Sequence, residues 1–380
     1  MKVCDVVLNS VWYDPRVRKQ IVEYKAQGVD VSVVGMKCVR YDEEKVKAIP
    51  CPATIVKIDE KYDGKQSGVL RKLRREKMRI NAVKNAIIEY RPDVIHANDL
   101  NALIPAYLAS KKLKCKLIYD SHEVYIENFT TGGRSHMAGF MKRLEKFLIH
   151  HSDLMVCVSY AAKEYFAETY KTDNIMVVTN CSLQKEMVEL PAEKNNGFEV
   201  LNHGAFYDGR GYDVMIRAAG LVKEYPDIKM ALRGFGRIEG ELHKLAEDLH
   251  AENVIFYPKV NVEELIPMAS HSMVGLAITE PICLNFKLSV SNKLFEYASA
   301  GLPVIMSNIP EHRYLNEKYK FGIVLSDNFP EALAEAVKKL YTDKEFYQMC
   351  QENAIKFSKE VYWENEFSLL IKKEMSILRM

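Results

Sequence analysis

Several stretches of this chain set charged or imidazole side chains beside glycines where a helix would begin. In Ser291 to Ser307, SNKLFEYASAGLPVIMS, Ser291 or Asn292 can cap a helix and leave backbone N–H groups open in its first turn. Leu294, Phe295 and Ala298 fall at helical spacings that make an inward face, which leaves Lys293 and Glu296 together on another. Gly301 suits the left-handed position after such a helix, and Leu302-Pro303 ends it before the apolar run Val304-Ile305-Met306. An open helix N-terminus is a site for an anion, most often a phosphate, and Glu296 one turn in can accept hydrogen bonds from sugar-like hydroxyls. A plain surface helix with a surface Glu fits the same letters.

Asn202 to Arg217, NHGAFYDGRGYDVMIR, reads as a strand, a glycine-rich turn and a helix. Arg210, between Gly209 and Gly211, projects from a turn that lets backbone come close to a ligand. A guanidinium there can pair with phosphate oxygens and stabilise a departing diphosphate, or it can be a loop Arg in water. Leu232 to Arg237, LRGFGR, repeats strand and G-x-G, a weak signal alone. In the first half, NSVWYDPRVR follows the first strand, with Asp14 as helix cap and Pro15 in the first helical position. Arg16 and Arg18 either solvate that helix or face a ligand. HANDL (His96 to Leu100) and IYDSHE (Ile118 to Glu123) end two further strands, and a strand's carboxyl end is where polar side chains reach ligands in a parallel sheet.

The elements that must hold these residues are legible. Short β-branched runs at 3–8, 29–35, 54–58, 94–97, 117–120, 154–158 and 176–178 alternate with helical stretches. The pattern restarts at 198–203, 229–233, 254–257, 274–277, 304–307 and 322–324. Continuous apolar strands separated by helices predict parallel sheets covered on both faces, so the chain reads as α/β with two tandem Rossmann-like domains. The expected boundaries are 1–183 for the first, rejoined by an amphipathic C-terminal helix at 364–380, then a linker at 184–197, then 198–363 for the second. A ligand bound by both would lie in the cleft beside the linker.

At 380 residues with 48% hydrophobic content, the chain is long enough for two cores. Lys and Arg total 53 against 51 Asp and Glu, so there is no overall polyanion-binding charge. The eight cysteines are scattered without a C-x-x-C pair, which reads as reduced core residues of a cytosolic protein. No signal peptide or membrane-length apolar run is visible. The stretch 65–91 is basic, with Arg71, Lys72, Arg74, Arg75, Lys77, Arg79 and Lys84 interleaved with Val69, Leu70, Leu73, Met78 and Ile80. It is either a solvated face or a peripheral contact with an anionic membrane, the inner face for a cytoplasmic protein. Nucleic acid is not expected, since the stretch lacks aromatic platforms.

The wording of these motifs resembles family 4 glycosyltransferases, GT-B enzymes that transfer a sugar from a nucleotide diphosphate. The resemblance runs from D-P-R-V, through DVIHANDLNALIPAYLASKKLKCKLIYDSHEVY, to NKLFEYASAGLPVI. It implies sugar transfer to a saccharide or lipid-linked hydroxyl acceptor with retention of configuration, in polysaccharide or glycolipid biosynthesis. Neither a cofactor nor a metal is expected, because fixed cations and a helix end take that role. Arg210, Lys293, Glu296 and His122 would be catalytic. Gly234, Gly236, Lys259, Val260, Ser291, Asn292 and Glu296 would bind the donor, and Asp14, Arg16, His96, Asp99, Asp120 and Glu123 would line the acceptor side. The last helix would return to the first domain near Trp363. Two departures stand out: Leu288 replaces a frequent second Glu, and Gly204-Ala205 stand where a basic residue is common, a charge Lys293 can replace. The alternatives are a nucleotide-sugar epimerase of GT-B fold and a catalytically silent nucleotide-sugar binding protein.

Overall fold

The computed structural model describes residues 1–38, 41–58, 68–124, 135–191 and 193–379. The chain divides into two units, Met1–Thr179 with Glu366–Met380, and Asn180–Asn365. All thirteen expected strands form. In unit 1 these are β1 (Lys2–Val6), β2 (Asp30–Met36), β3 (Ala53–Val56), β4 (Val94–Asn98), β5 (Lys116–Ser121), β6 (Leu154–Cys157) and β7 (Ile175–Val177), in the order β3-β2-β1-β4-β5-β6-β7. In unit 2 they are β8 (Phe198–Phe206), β9 (Ile228–Gly236), β10 (Val254–Tyr257), β11 (Val274–Ala277), β12 (Val304–Met306) and β13 (Gly322–Val324), in the order β10-β9-β8-β11-β12-β13. Every ladder is parallel. Each sheet is therefore an α/β doubly wound layer. The strand order reverses between β1 and β4 in one unit and between β8 and β11 in the other, which opens a crevice at the carboxyl ends of those strands.

Two expectations need correction. β8 and β9 run three residues further than their apolar letters suggest, pairing Gly204 with Gly234 and Phe206 with Gly236. A glycine is required at 234, where φ is 154° and a Cβ would meet the Gly204 carbonyl oxygen at 1.9 Å. The expected turn thus begins only after Phe206. The stretch 184–197 lies within unit 2 and is held there. Val188 N–H bonds the Ser299 carbonyl at 3.1 Å, and Lys194 Nζ bonds the Ser270 and Ser272 carbonyls at 2.6 and 3.1 Å. Residue 192 of that stretch, residues 65–67 of the basic stretch, Tyr125 of the HANDL–DSHE passage and Met380 of the last helix lie outside the described residues.

The change of unit falls in the first turn of the helix Trp363–Leu378, between Asn365 and Glu366. Phe367, Leu370, Ile371 and Ile377 of this helix are buried, and one buried acid, Glu374, sits among them. Tyr24 donates to Glu374 at 2.7 Å, and the His96 ring lies between Glu374, at 3.3 Å from Nδ1, and Asp120, at 3.2 Å from Nε2. Gln20 and Arg16 complete the network. Gln20 donates to Asp120 at 2.8 Å, and Arg16 grips both Asp120 oxygens at 3.0 Å. Burial would hold His96 neutral, yet its hydrogen bonds to Asp120 and Glu374 outweigh burial and raise it to about 10. Asp120 is likewise opposed by burial, but Arg16 and the two imidazoles hold it well below the carboxylate range.

Removing one member of a buried charge network strands the others. Glu374→Ala should destabilise unit 1 by about 3–5 kcal/mol, whereas Lys47→Ala, in an exposed pair with Glu43 and Glu44, should stay within about 1 kcal/mol. Urea unfolding followed from pH 6 to pH 10.5 checks both. The folded state binds the His96 proton more tightly than the unfolded state. Its stabilisation is therefore full below the ordinary value of 6.5 and is lost as pH rises through about 10.

Candidate active site

Unit 2 gathers its polar residues at the crevice between β8 and β11. Arg210 leaves the turn after β8, its guanidinium 4.4 Å from the Phe286 ring centre. Asn202, fully buried on β8, donates to the Arg210 carbonyl at 3.3 Å and accepts from Lys293 Nζ at 2.6 Å. Lys293 comes from the first turn of the helix Asn292–Ser299 and reaches back over the strand end. Its ammonium stands 4.9 Å from the Tyr212 ring centre and 3.9 Å from where a Cβ on Gly204 would lie. That is where the sequence left a basic side chain missing. Burial and the neighbouring Arg210 together push Lys293 down to about 7, with Glu296 opposing. Burial also lowers Arg210.

Glu296, partly exposed, accepts from His203 Nε2 at 2.7 Å. His203 is buried on β8 and lies against Tyr297, ring centres 4.5 Å apart. The Tyr297 hydroxyl accepts the His203 backbone N–H at 2.9 Å. Tyr297 reaches that position because Gly275 on β11 has no side chain, and a Cβ there would fall 2.2 Å from the Tyr297 ring. Ser291 occupies the cap position of this helix without a side-chain capping hydrogen bond; its carbonyl accepts the Leu294 N–H at 3.0 Å, which ties up one N–H of the first turn. Gly301 takes the left-handed φ of 69° after the helix, as its place in the sequence predicts.

Of the other expected donor-side residues, Asn292 is exposed at the helix start. Gly234 and Gly236 bring β9 against β8, and their close backbone approach supplies their reason in the fold. Lys259 is exposed after β10 with its ammonium 4.7 Å from the ring centre of Phe235, the residue between those glycines. Val260 follows it, partly exposed. Leu288 is buried. The structure therefore brings Arg210, Lys293, Glu296 and Ser291 together around the end of β8, and places Lys259 at the end of β10.

In unit 1, Asp14 caps the helix Pro15–Ala26, accepting from Val17 N–H at 3.2 Å and Asn9 at 3.0 Å. Val11, just before it, holds φ 58°, a strained value for a β-branched residue. Asp99 also has positive φ, 64°, at the turn from β4 into the helix Asp99–Leu113. Its carboxylate accepts the His122 backbone N–H at 3.0 Å. The His122 ring is partly exposed, with Nε2 3.0 Å from Asn98 Oδ1 and 3.8 Å from Asp120. Burial disfavours charge on His122, but Asp99 and Asp120 raise it overall. Glu123 is exposed beside it.

Arg16, His96 and Asp120, expected on the acceptor side, are 3%, 0% and 0% exposed. Arg16 does not solvate its helix, because its guanidinium is taken up by Asp120 and the Val178 carbonyl. These three bear on the surface through His122. The sequence reading passed over Asn202, His203, Tyr297 and Glu374. The signal for the first two was their position as polar residues in a strand ahead of a glycine turn.

Two family models match the chain, Glycosyltransferase Family 4 over residues 16–181 and Glycosyl transferases group 1 over residues 184–357. An uncharacterized glycosyltransferase of Haemophilus influenzae is 25% identical over 269 residues, 70% of this chain and 71% of that protein. Among solved structures, a sucrose-phosphate synthase from Thermosynechococcus elongatus superimposes with TM-score 0.75 at 14% identity, covering 99% of each chain. Anabaena HepE in complex with UDP and glucose does so with TM-score 0.71 at 16% identity, again over 99% of each. The chain belongs to the family 4 glycosyltransferases of the GT-B fold.

The lysine offers a pH test. Below about 7 Lys293 is protonated folded and unfolded, so its burial penalty is complete; between about 7 and its ordinary 10.5 only the unfolded chain holds the proton. Its contribution to stability therefore rises with pH across that window. Comparing wild type with Lys293→Met by thermal unfolding at pH 6.5 and 9.5, the variant should gain more over wild type at the lower pH.

Proposed function

We propose that the protein transfers a sugar from a nucleotide-diphosphate sugar to a hydroxyl acceptor with retention of anomeric configuration, in polysaccharide or glycolipid biosynthesis. The observation that carries this is the group at the end of β8. Two basic groups, Arg210 and Lys293, stand beside a helix N-terminus without a side-chain cap, and Glu296 is one turn further along. Cations and a helix dipole together suit a diphosphate, and a carboxylate suits the ribose or sugar hydroxyls. In the reaction the bond between the anomeric carbon and the phosphate oxygen breaks, its electron pair leaving with the diphosphate, while the acceptor oxygen bonds that carbon and its proton passes to the departing phosphate oxygen. Arg210 and Lys293 stabilise that charge, which makes a metal ion unnecessary in this reading. A uridine nucleotide is the first donor to try, since HepE, of like fold, holds UDP.

On unit 1 the partly exposed His122, with Asp99 and Asp120 behind it and Glu123 next in sequence, supports a role against the transferred sugar or acceptor hydroxyl. A lipid-linked acceptor at a membrane surface is favoured by the helix Val69–Tyr90, whose exposed Leu73 sits among exposed Lys72, Arg74, Arg75 and Lys77. Among the described residues no helix is long and apolar enough to cross a membrane. Leu288, buried where a second acid is common, favours a second reading, a nucleotide-sugar binder without turnover.

A thermal-shift screen of UDP, GDP, ADP, CMP and dTDP with their sugars separates these readings. One nucleotide diphosphate at a hundredfold over its dissociation constant should stabilise the protein by about 2.7 kcal/mol, with Arg210→Ala and Glu296→Ala each weakening the shift. Proton NMR of the product formed with a simple glycoside acceptor should show the donor's anomeric configuration. Binding without transfer or donor hydrolysis would support the silent binder, and no shift with any nucleotide would overturn the donor site.

A further inference from the structure

Lys293 and Glu296 are three residues apart on one helix, a spacing at which opposite charges ordinarily meet. Here they do not. The ammonium is turned to Asn202 at 2.6 Å and the carboxylate to His203 at 2.7 Å, and among the described residues no carboxylate comes within ion-pair distance of Lys293. Asn202 and His203 are neighbours on β8, and the pleat of a strand sends neighbours to opposite faces. Asn202 accordingly joins the Arg210 and Tyr212 side of the sheet. His203 joins the Tyr297 side, fixed by its ring contact and by its backbone bond to the Tyr297 hydroxyl. Both are buried, at 0% and 1% exposure, so neither side chain is free to swing. One strand thus draws two charges of one helix turn apart.

We propose that Asn202 and His203 are positioning residues that keep Lys293 and Glu296 from neutralising each other, so that the ammonium meets the phosphates of a nucleoside diphosphate and the carboxylate meets its hydroxyls. This rests on the donor-site reading above and adds the reason the Lys293 amine is left for a phosphate, not for Glu296, to pair with. Four groups face Lys293: Asn202, the Tyr212 ring and hydroxyl, the guanidinium of Arg210, and Glu296 from its own helix. Two cations side by side, with no carboxylate among the described residues within ion-pair distance of the ammonium, are unfavourable without a ligand, and an arriving diphosphate relieves them. An ion pair between Lys293 and Glu296 would remove that relief and occupy both ligand-binding groups at once. His203 prevents it with one N–H, and its other ring nitrogen has no hydrogen-bond partner among the described residues, so there the ring's one hydrogen bond is to Glu296.

The test uses the full chain and His203→Phe, which keeps a ring against Tyr297 but offers no N–H, with His203→Phe/Glu296→Gln and His203→Gln beside it. Lysine labelled with carbon-13 at Cε reports the Lys293 titration by NMR, with Lys293→Met for assignment. Calorimetry reports inorganic pyrophosphate, a probe without ribose or base. In His203→Phe, Glu296 should close on Lys293, raising its titration midpoint and weakening pyrophosphate about tenfold or more, the scale of one charged hydrogen bond. Neutralising the carboxylate in the double variant should reverse both changes, and His203→Gln, which still offers an N–H, should recover most of the binding. A merely structural histidine would make the double variant no better than the single one, and that result overturns the proposal. So does a Lys293 midpoint unmoved in His203→Phe, whatever the binding. If the midpoint moves as expected but wild type binds neither pyrophosphate nor any nucleoside diphosphate, the separation of charges stands, and the donor-site reading, with the ligand assigned to it, falls.

Discussion

Two opposite charges on one turn of helix, held apart at the end of β8, set the terms for the rest of unit 2. Keeping them apart requires a strand long enough to place Asn202 and His203 beneath the helix start, and a neighbour that lets it run that far. β9 follows β8 to Gly236 because Gly234 and Gly236 have no side chains to collide with it. The helix must also sit low on the sheet, which the bare face of Gly275 under Tyr297 allows. Sheet, glycines and helix therefore serve one electrostatic arrangement, and each is explained by close approach of backbone. On the donor reading proposed above, such a site is shaped before ligand arrives, so its charges need little rearrangement to receive one.

Unit 1 uses charge in the opposite way. One group of its charges is paired inside: Arg16 with Asp120, and His96 between Asp120 and Glu374. That group meets the surface at the partly exposed imidazole of His122, with Asp99 and Asp120 behind it. Paired charges of this depth add little net stability over apolar replacements, but they fix orientation, since each has one geometry that satisfies its partners. Asn98 links this network to β1, donating to the Asp5 carboxylate and to the Val6 carbonyl at 3.2 Å. Asp5 is pushed up to about 7 by its burial, against the pull of His96 and Asn98.

The architecture was open to sequence reasoning because parallel strands covered on both faces are written as unbroken apolar runs, and all thirteen could be placed to within a few residues. The gathering of Arg210, Lys293 and Glu296 at the end of β8 could be anticipated too, since a glycine-flanked arginine and a helix start carry their own geometry. His203 was not, because its task is to hold another side chain, and letters do not show which of two neighbours a strand residue faces. Arg16 misled for the converse reason. A basic residue in a first helical turn reads as solvated, and its partner Asp120 lies 104 residues away. Glu374 was legible in hindsight, as an acid within the apolar stripe of Phe367, Leu370, Ile371 and Ile377, a pattern that calls for a buried partner. Its partner could be named only once the fold brought His96 to it across 278 residues.

That long reach bears on how the chain comes to be folded. The seven strands of unit 1 leave the ribosome first, yet the acid that completes their interior charge network belongs to the last helix. Until residue 374 emerges, His96 and Tyr24 lack the carboxylate that satisfies them, and the groove that receives Phe367 and Leu370 is bare. Unit 2, continuous in sequence from Asn180 to Asn365, has all its parts before that moment. The order of synthesis and the order of completion are therefore reversed, with the first-made unit finishing last. Nascent chains would expose an apolar, charge-bearing groove while unit 2 is being made, a natural point for a chaperone to engage.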